Sequence, residues 1–150
     1  MPELPEVETV RRGLADLLPG QAIMRATVFD SPKSFPNSPT DVQQFLYGAH
    51  VTAVRRRAKV LMIDLDTRYS LVIHLKMTGQ LIFRGANSFA GGHPNDSLIG
   101  ELPDRSTRVQ IDFTDGSRLF FNDQRKFGWM KLMPTDEIEN LPFMQKVGPE

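Results

Sequence analysis

Arg108-Val109-Gln110-Ile111-Asp112-Phe113-Thr114-Asp115-Gly116-Ser117-Arg118-Leu119-Phe120-Phe121-Asn122 is the stretch whose reading decides the fold. Val109, Ile111 and Phe113 alternate with polar residues, the period of a half-buried strand. Asp115-Gly116 comes next, and Asp-Gly between two β-like runs is a strong short-range hairpin signal. Arg118 to Asn122 is then the returning strand.

Working outward, Ile23 to Phe29, His50 to Arg56, Lys59 to Leu65, Ser70 to Leu75 and Gln80 to Arg84 also read as strands, and Gly128 to Met133 as the last. The near-continuous apolar run from Lys59 to Leu65 predicts burial on both faces. Ser31 to Thr40 reads as a loop, Asp41 to Tyr47 as a short helix capped by Thr40 or Asp41, and Asp136 to Asn140 as a helical turn. Gly85 to Arg105 carries Gly91-Gly92, Pro94, Gly100 and Pro103 and is expected to be a long, mobile loop. At the amino terminus, Leu4, Val7, Val10, Leu14, Leu17 and Leu18 recur at helical spacing up to Pro19-Gly20. One long helix, one or two short ones and about seven or eight closely spaced strands predict a mainly β (α+β) domain, a β-sandwich flanked by helices. The domain is expected to run over 1–145, with Lys146 to Glu150 opening a linker.

The chain has 150 residues, 40% of them hydrophobic, which suits one domain with its own core. No apolar run approaches the ~20 residues that span a bilayer, and the amino terminus lacks a signal-peptide layout. With no Cys there is no disulfide and no thiolate metal site. A cytoplasmic protein is expected. The formal net charge is +0, which argues mildly against a nucleic-acid binder. Distribution matters more than the total. Arg55, Arg56, Arg57 and Lys59 form one basic cluster, and Arg125, Lys126 and Lys131 a second. Acidic residues gather at Glu3 to Glu8 and Asp136 to Glu139.

The first dozen residues, Met1-Pro2-Glu3-Leu4-Pro5-Glu6-Val7-Glu8-Thr9-Val10-Arg11-Arg12, offer an amine, two close carboxylates and a helix start. Pro2 is a small residue of the kind that permits removal of an initiator Met, which would leave it a free secondary amine. An α-amino group titrates near ~8, so an appreciable fraction is neutral at pH 7. A neutral amine can attack an aldehydic carbon, and a secondary one gives an iminium ion. Glu3 stands beside it to move protons, and Glu6 is a supporting carboxylate. The positive end of a helix also disfavours the protonated amine. On its own, such a start is more often an ordinary helix beginning.

Three further stretches offer chemistry. Arg55-Arg56-Arg57-Ala58-Lys59 reads as a solvated strand end or a phosphate clamp. His74-Leu75-Lys76-Met77-Thr78-Gly79 follows a strand, where a His and a Met are usually structural. Asn122-Asp123-Gln124-Arg125-Lys126-Phe127-Gly128 reads as a β-turn with Phe127 inside, or a basic, aromatic loop tip for nucleic acid.

Together these strings carry a resemblance. Met1 to Leu14, MPELPEVETVRRGL, closely resembles the amino terminus of the formamidopyrimidine-DNA glycosylases, bacterial repair enzymes for oxidised purines. In that family the N-terminal proline attacks the sugar C1′ and the adjacent glutamate handles protons, which assigns those roles to Pro2 and Glu3. Lys59 aligns with a lysine that approaches the damaged nucleotide and its phosphate, with Ala58 in place of the usual glycine. The second stretch looks like the family's His-Leu-x-Met-x-Gly segment, which makes His74 a phosphate contact and Met77 a residue that enters the duplex. The third resembles the Asp-x-Arg-(Arg/Lys)-Phe-Gly loop, so Arg125 and Phe127 join Met77 as a wedge. A wedge is needed because a base must leave the stack before its sugar can be attacked, at a cost of a few kcal/mol.

The resemblance implies an antiparallel β-sandwich bordered by helices, and a bifunctional glycosylase and AP lyase. Its partner would be double-stranded DNA with an oxidised purine (8-oxoguanine or a formamidopyrimidine) or an abasic site. A monomer in the bacterial cytoplasm, at the nucleoid and not at a membrane, is expected. Family members continue beyond residue 150 with a helix–two-turn–helix domain and a four-Cys zinc finger. The chain is therefore expected to be a fragment, weak or inactive alone, with no cofactor of its own because the family's zinc site lies in that finger. Three alternatives compete: an endonuclease VIII-like enzyme for oxidised pyrimidines, whose opening differs after Pro2-Glu3; a tautomerase with Pro2 as general base on a βαβ unit; and a folded domain without activity.

Overall fold

In a computed structural model, which describes residues 4–29 and 32–145, two antiparallel sheets face each other. The five-stranded sheet has the order β1 (Ile23–Val28), β7 (Thr107–Phe113), β8 (Arg118–Asp123), β5 (Gly79–Arg84), β6 (Ser88–Gly92). The four-stranded sheet has the order β2 (Val51–Arg57), β3 (Val60–Leu65), β4 (Tyr69–His74), β9 (Trp129–Pro134). Inward residues of both, among them Leu61, Ile63, Ile73, Leu81, Val109, Ile111 and Phe121, form the main core. The predicted sandwich is what forms. All strand pairs are antiparallel, so the βαβ unit of the tautomerase alternative is absent from the described residues.

The 108–122 hairpin forms as its sequence predicts. Gly116 takes φ +90 and donates its N–H to Phe113 O at 3.1 Å, while Phe113 N–H bonds Ser117 O at 2.9 Å. This is a three-residue loop with glycine at the left-handed position. β3 is buried on both faces, as its apolar run predicts. Leu61 and Ile63 enter the main core, whereas Val60 and Met62 face a second cluster with Val72, Met133, Ile138 and Met144. That outer cluster lies beneath the 3-10 turn Thr135–Asn140 and α3 (Pro142–Gln145).

Helix α1 (Leu4–Leu17) buries Val7, Val10 and Leu14 against β2 and β6, the edge strands on one side of the sandwich. Covering two edges with one helix removes two templates for mispairing. At the other side Asn37 takes over part of the β9 edge. Its amide donates to Leu132 O at 2.7 Å and accepts from Leu132 N–H at 2.8 Å.

Two expectations need correction. The span Gly85 to Arg105 is not one long loop, because it contains β6 and a 3-10 turn at Asp96–Leu98, raising the strand count among the described residues to nine. Gly91 and Gly92 belong to β6 for a packing reason. A Cβ on Gly91 would lie 2.8 Å from Val10 Cγ2 of α1, and one on Gly92 would lie 2.4 Å from Gly79 O. The second correction is the cap of α2 (Pro39–Phe45), which is Ser38. Its side chain accepts from Asp41 N–H at 3.2 Å, with Pro39 pre-set for the first turn.

Candidate functional site

Two connections at one end of the sandwich hold the exposed residues that the sequence singled out. The turn from β4 to β5 carries Met77, 45% exposed, and the loop from β8 to β9 carries Arg125 and Phe127, the latter 59% exposed. Two large apolar side chains are thus exposed on two connections at one end of the sandwich. The Arg125 guanidinium carbon sits 5.4 Å from the Phe127 ring centroid, a cation–π arrangement.

What brings these loops together is Asp123, a residue the sequence reading did not single out. It is 0% exposed. Its carboxylate accepts from the Thr78 hydroxyl, from Arg125 N–H at 3.2 Å and from Gly128 N–H at 2.5 Å. Thr78 Oγ1 also accepts from Arg125 N–H at 3.3 Å. One buried carboxylate thus fixes both ends of the Arg125–Phe127 loop and the residue after Met77. A signal was available, since an Asp accepting from the backbone two residues on is the Asx-turn pattern. Beside the loop, Pro32, Lys33, Arg125, Lys126, Phe127, Gly128 and Trp129 line a cleft of about 620 Å³.

The neighbouring face is basic. Lys59 lies on the two-residue turn between β2 and β3, where Arg57 pairs with Val60. Val60 pairs in turn with His74, and His74 with Trp129, so Lys59 and His74 share one end of the four-stranded sheet. Ala58 adopts φ +51, so the position where the family has glycine is indeed left-handed. Lys76 N–H donates to His74 Nδ1 at 3.0 Å. That bond puts the ring proton on Nε2, leaving His74 a neutral donor. Burial first, then the charges of Lys76 and Lys59, push its pKa down to about 4. A neutral imidazole N–H can still bond a phosphate oxygen, and it avoids adding a third cation beside two lysines.

The three arginines before Ala58 each pair with a carboxylate of the chain. Arg55 bonds Asp64 through Nε at 2.5 Å and Nη2 at 3.0 Å, Arg56 bonds Glu8 at 2.8 Å, and Arg57 pairs with Glu139. Each is used to join elements. The Arg56–Glu8 contact ties α1 to the β2 end that leads into Lys59. Glu8 also accepts from Arg11 and Arg12, and the hydrogen bonds of Arg11 and Arg56 hold its carboxyl well below the usual carboxylate range. Spacing showed the helical pairs but not the partner 48 positions away.

Glu6 lies exposed on the first turn of α1. Pro2 and Glu3 lie outside the described residues, as does the tail from Lys146 to Glu150. Among the described residues no cluster of three or more metal-ligating side chains occurs, and no helix is long and apolar enough to cross a membrane.

Comparison with known proteins places this geometry. Residues 1–130 match the model of the formamidopyrimidine-DNA glycosylase N-terminal domain. A formamidopyrimidine-DNA glycosylase of Dinoroseobacter shibae is 39% identical over 150 residues, and one of Jannaschia sp. is 43% identical over 152. In both cases all of this chain is covered and 51% of the relative, so the chain spans about half the length of the curated relatives it matches. Among solved structures, a complex between Lactococcus lactis Fpg and DNA containing an abasic site is similar with a TM-score of 0.79 and 27% identity, over 99% of this chain and 49% of that one. A complex of a Lactococcus lactis Fpg mutant with DNA containing Fapy-dG gives 0.79 and 29% over the same shares.

Proposed function

The chain belongs to the family of the formamidopyrimidine-DNA glycosylase N-terminal domain, and on that premise we propose that it is the nucleophile-bearing half of a base-excision repair enzyme acting on oxidised purines and abasic sites in duplex DNA. The observation that carries the reading is the shared rim. Met77, Arg125 and Phe127 stand exposed on two loops that Asp123 locks together, next to the basic end formed by Lys59, His74 and Lys76. An apolar wedge beside phosphate-binding groups is the equipment needed to unstack a nucleotide and hold its backbone.

In this reading Met1 is removed and the Pro2 amine attacks C1′ of the flipped nucleotide. The N–C1′ bond forms as the glycosidic bond breaks, and Glu3 supplies protons to the departing base and the opening sugar ring. The resulting iminium acidifies C2′. Loss of that proton expels the 3′ phosphate (β-elimination), and a further elimination expels the 5′ phosphate. Lys59 and His74 hold the phosphates beside the flipped nucleotide, Arg125 bonds the orphaned opposite base, and Glu6 supports the charge at the amine. The site of action is the bacterial cytoplasm, at the nucleoid. Zinc would belong to the portion of the longer relatives that this chain does not span.

The test is single-turnover cleavage of a duplex bearing one abasic site, with protein in large excess so that weak binding is not limiting. Nicks leaving phosphates on both sides of the gap support the reading. An intact strand at protein concentrations that saturate the DNA, both with this chain and with a version extended to the length of its relatives, contradicts it.

A further inference from the structure

Arg56 touches two elements at once. Its Nε donates to Glu8 Oε1 of α1 at 2.8 Å, and its Nη1 donates to the carbonyl of Ala58 at 3.3 Å. Ala58 opens the two-residue turn between β2 and β3, and the next residue is Lys59. One guanidinium therefore bridges the amino-terminal helix and the turn that carries Lys59. The bridge is partly buried, with 21% of the Arg56 side chain and 25% of the Glu8 side chain exposed.

Both ends of the bridge are anchored. Glu8 is fixed in the frame of α1 by a two-pronged bond from Arg11 (Nε to Oε1 at 2.8 Å, Nη2 to Oε2 at 2.9 Å) and by Arg12 Nε at 2.9 Å. Arg56 is fixed in β2, where it lies opposite Leu61 of β3. The helix needs such a tie near its start. Leu4, Pro5 and Glu6 are exposed, and packing begins at Val7. Pro2 precedes Leu4 by two residues, so covalent geometry keeps their Cα atoms within about 7 Å of each other. Whatever fixes the start of α1 fixes the tether of the amine. A planar guanidinium holds its two acceptors in one relative geometry, which a lysine, a point charge on a flexible stem, does not.

We propose that Arg56 is a positioning residue, which holds the Lys59 turn and the nucleophile-bearing helix at one separation, so that the amine meets C1′ of the same nucleotide whose phosphate Lys59 holds. The inference rests on the function proposed above and adds a residue that acts without touching the reacting atoms. The requirement is geometric. Within a nucleotide C1′ and the phosphate lie a limited span apart, and a reacting group displaced by about 1 Å loses about a hundredfold in rate. Arg55 is the contrast. Its partner Asp64 lies on β3, so that ion pair joins two strands already hydrogen-bonded to each other.

The experiment measures single-turnover cleavage of a duplex with one abasic site against protein concentration, which separates the maximal rate from the half-saturating concentration. It uses the unaltered protein, Arg56→Lys, Arg56→Gln, Glu8→Gln, the Glu8→Gln/Arg56→Gln double variant and, as control, Arg55→Gln, each well below its own unfolding temperature. The assay is run on this chain and on a version extended to the length of its relatives, and variants are compared in the shorter of the two that cleaves. Arg56→Lys, Arg56→Gln and Glu8→Gln are expected to lower the maximal rate about ten- to a hundredfold while the half-saturating concentration holds. The double variant is expected to be no slower than the slower single one, because both changes break one contact. Arg55→Gln is expected to cleave at the parental rate. Reductive alkylation of Pro2 by a small aldehyde and cyanoborohydride, which does not need Lys59, is expected to proceed at the parental rate in every variant. A parental maximal rate in Arg56→Lys, a loss confined to the half-saturating concentration, or losses that multiply in the double variant overturn the positioning role alone. So does slowed alkylation, which would mean a disturbed amine and not a displaced one. An unaltered protein that leaves the saturated duplex intact at both lengths overturns the proposed function and this role with it.

Discussion

The Thr78 hydroxyl donates to the buried carboxylate of Asp123, 45 positions further along the chain, and with the Arg125 N–H bond to Thr78 Oγ1 it joins the two loops that carry Met77, Arg125 and Phe127. Asp123→Ala leaves Arg125 N–H and Gly128 N–H without this acceptor. An unsatisfied buried donor costs about 1–3 kcal/mol, so thermal unfolding is expected several degrees lower. Thr78→Val is expected to be milder, because Arg125 N–H and Gly128 N–H keep their bonds to the Asp123 carboxylate when the hydroxyl is lost. The functional readout is 2-aminopurine fluorescence opposite an abasic analogue. Asp123→Ala is expected to lose the unstacking signal more than affinity, whereas loss of both in proportion would make Asp123 only a folding residue.

Gly13 and Phe89 make a second tight pair. A Cβ on Gly13 would lie 2.2 Å from a ring carbon of Phe89. Alanine is better than glycine in a helix by roughly 0.8–1 kcal/mol, yet Gly13→Ala is expected to destabilise the protein. The overlap forces α1 away from β6, and overpacking of this kind costs about 1–3 kcal/mol. Phe89→Leu combined with Gly13→Ala is expected to recover part of the loss in denaturant unfolding. A Gly13→Ala protein more stable than the parent would contradict this packing.

Ala58 at φ +51 is a small strain that glycine removes. Ala58→Gly is expected to raise stability by about 1 kcal/mol, since the left-handed conformation costs a non-glycine residue roughly that much. Urea unfolding measures it. A loss of stability would mean that Ala58 is held there by contacts worth more than the strain.

The fold was legible where a local pattern and a tertiary need agree. Val109, Ile111 and Phe113 alternate because one face of β7 meets the core, and Asp115-Gly116 turns because glycine fits there. The span 85–105 reads as loop because of Gly91 and Gly92, while the missing side chain of Gly91 lets β6 lie under α1 and that of Gly92 lets it close on the start of β5. The candidate site was legible as motifs and not as a mechanism of assembly. Met77, Arg125 and Phe127 could be named from their strings, but the carboxylate that unites them, and the acids that occupy Arg55, Arg56 and Arg57, are long-range partners that no spacing reveals.

His74 supplies the pH test. Its ordinary pKa of 6.5 falls to about 4 in the folded chain, chiefly through burial. On acidification the unfolded state takes the proton first, so it binds more protons between those two values and stability falls with pH there. The contribution is fully present above pH 6.5 and is lost as pH falls through about 4. The ring signals of His74 in a proton NMR titration are expected to move with a midpoint near that lower value, and His74→Gln is expected to flatten the stability curve between pH 4 and 6.5 while keeping a donor. A midpoint at or above 6.5 would show a charged imidazole and contradict the neutral-donor role.

The central claim is that the Pro2 amine forms the covalent intermediate. The most direct measurement is borohydride trapping of this chain on abasic-site DNA after sequencing of its amino terminus, with the cross-linked peptide located by mass spectrometry. The account predicts a trapped complex only when Met1 has been removed, with the adduct on Pro2, because an acylated nitrogen is not nucleophilic. A complex that forms equally well with Met1 attached, or an adduct mapped to Lys59, would contradict it.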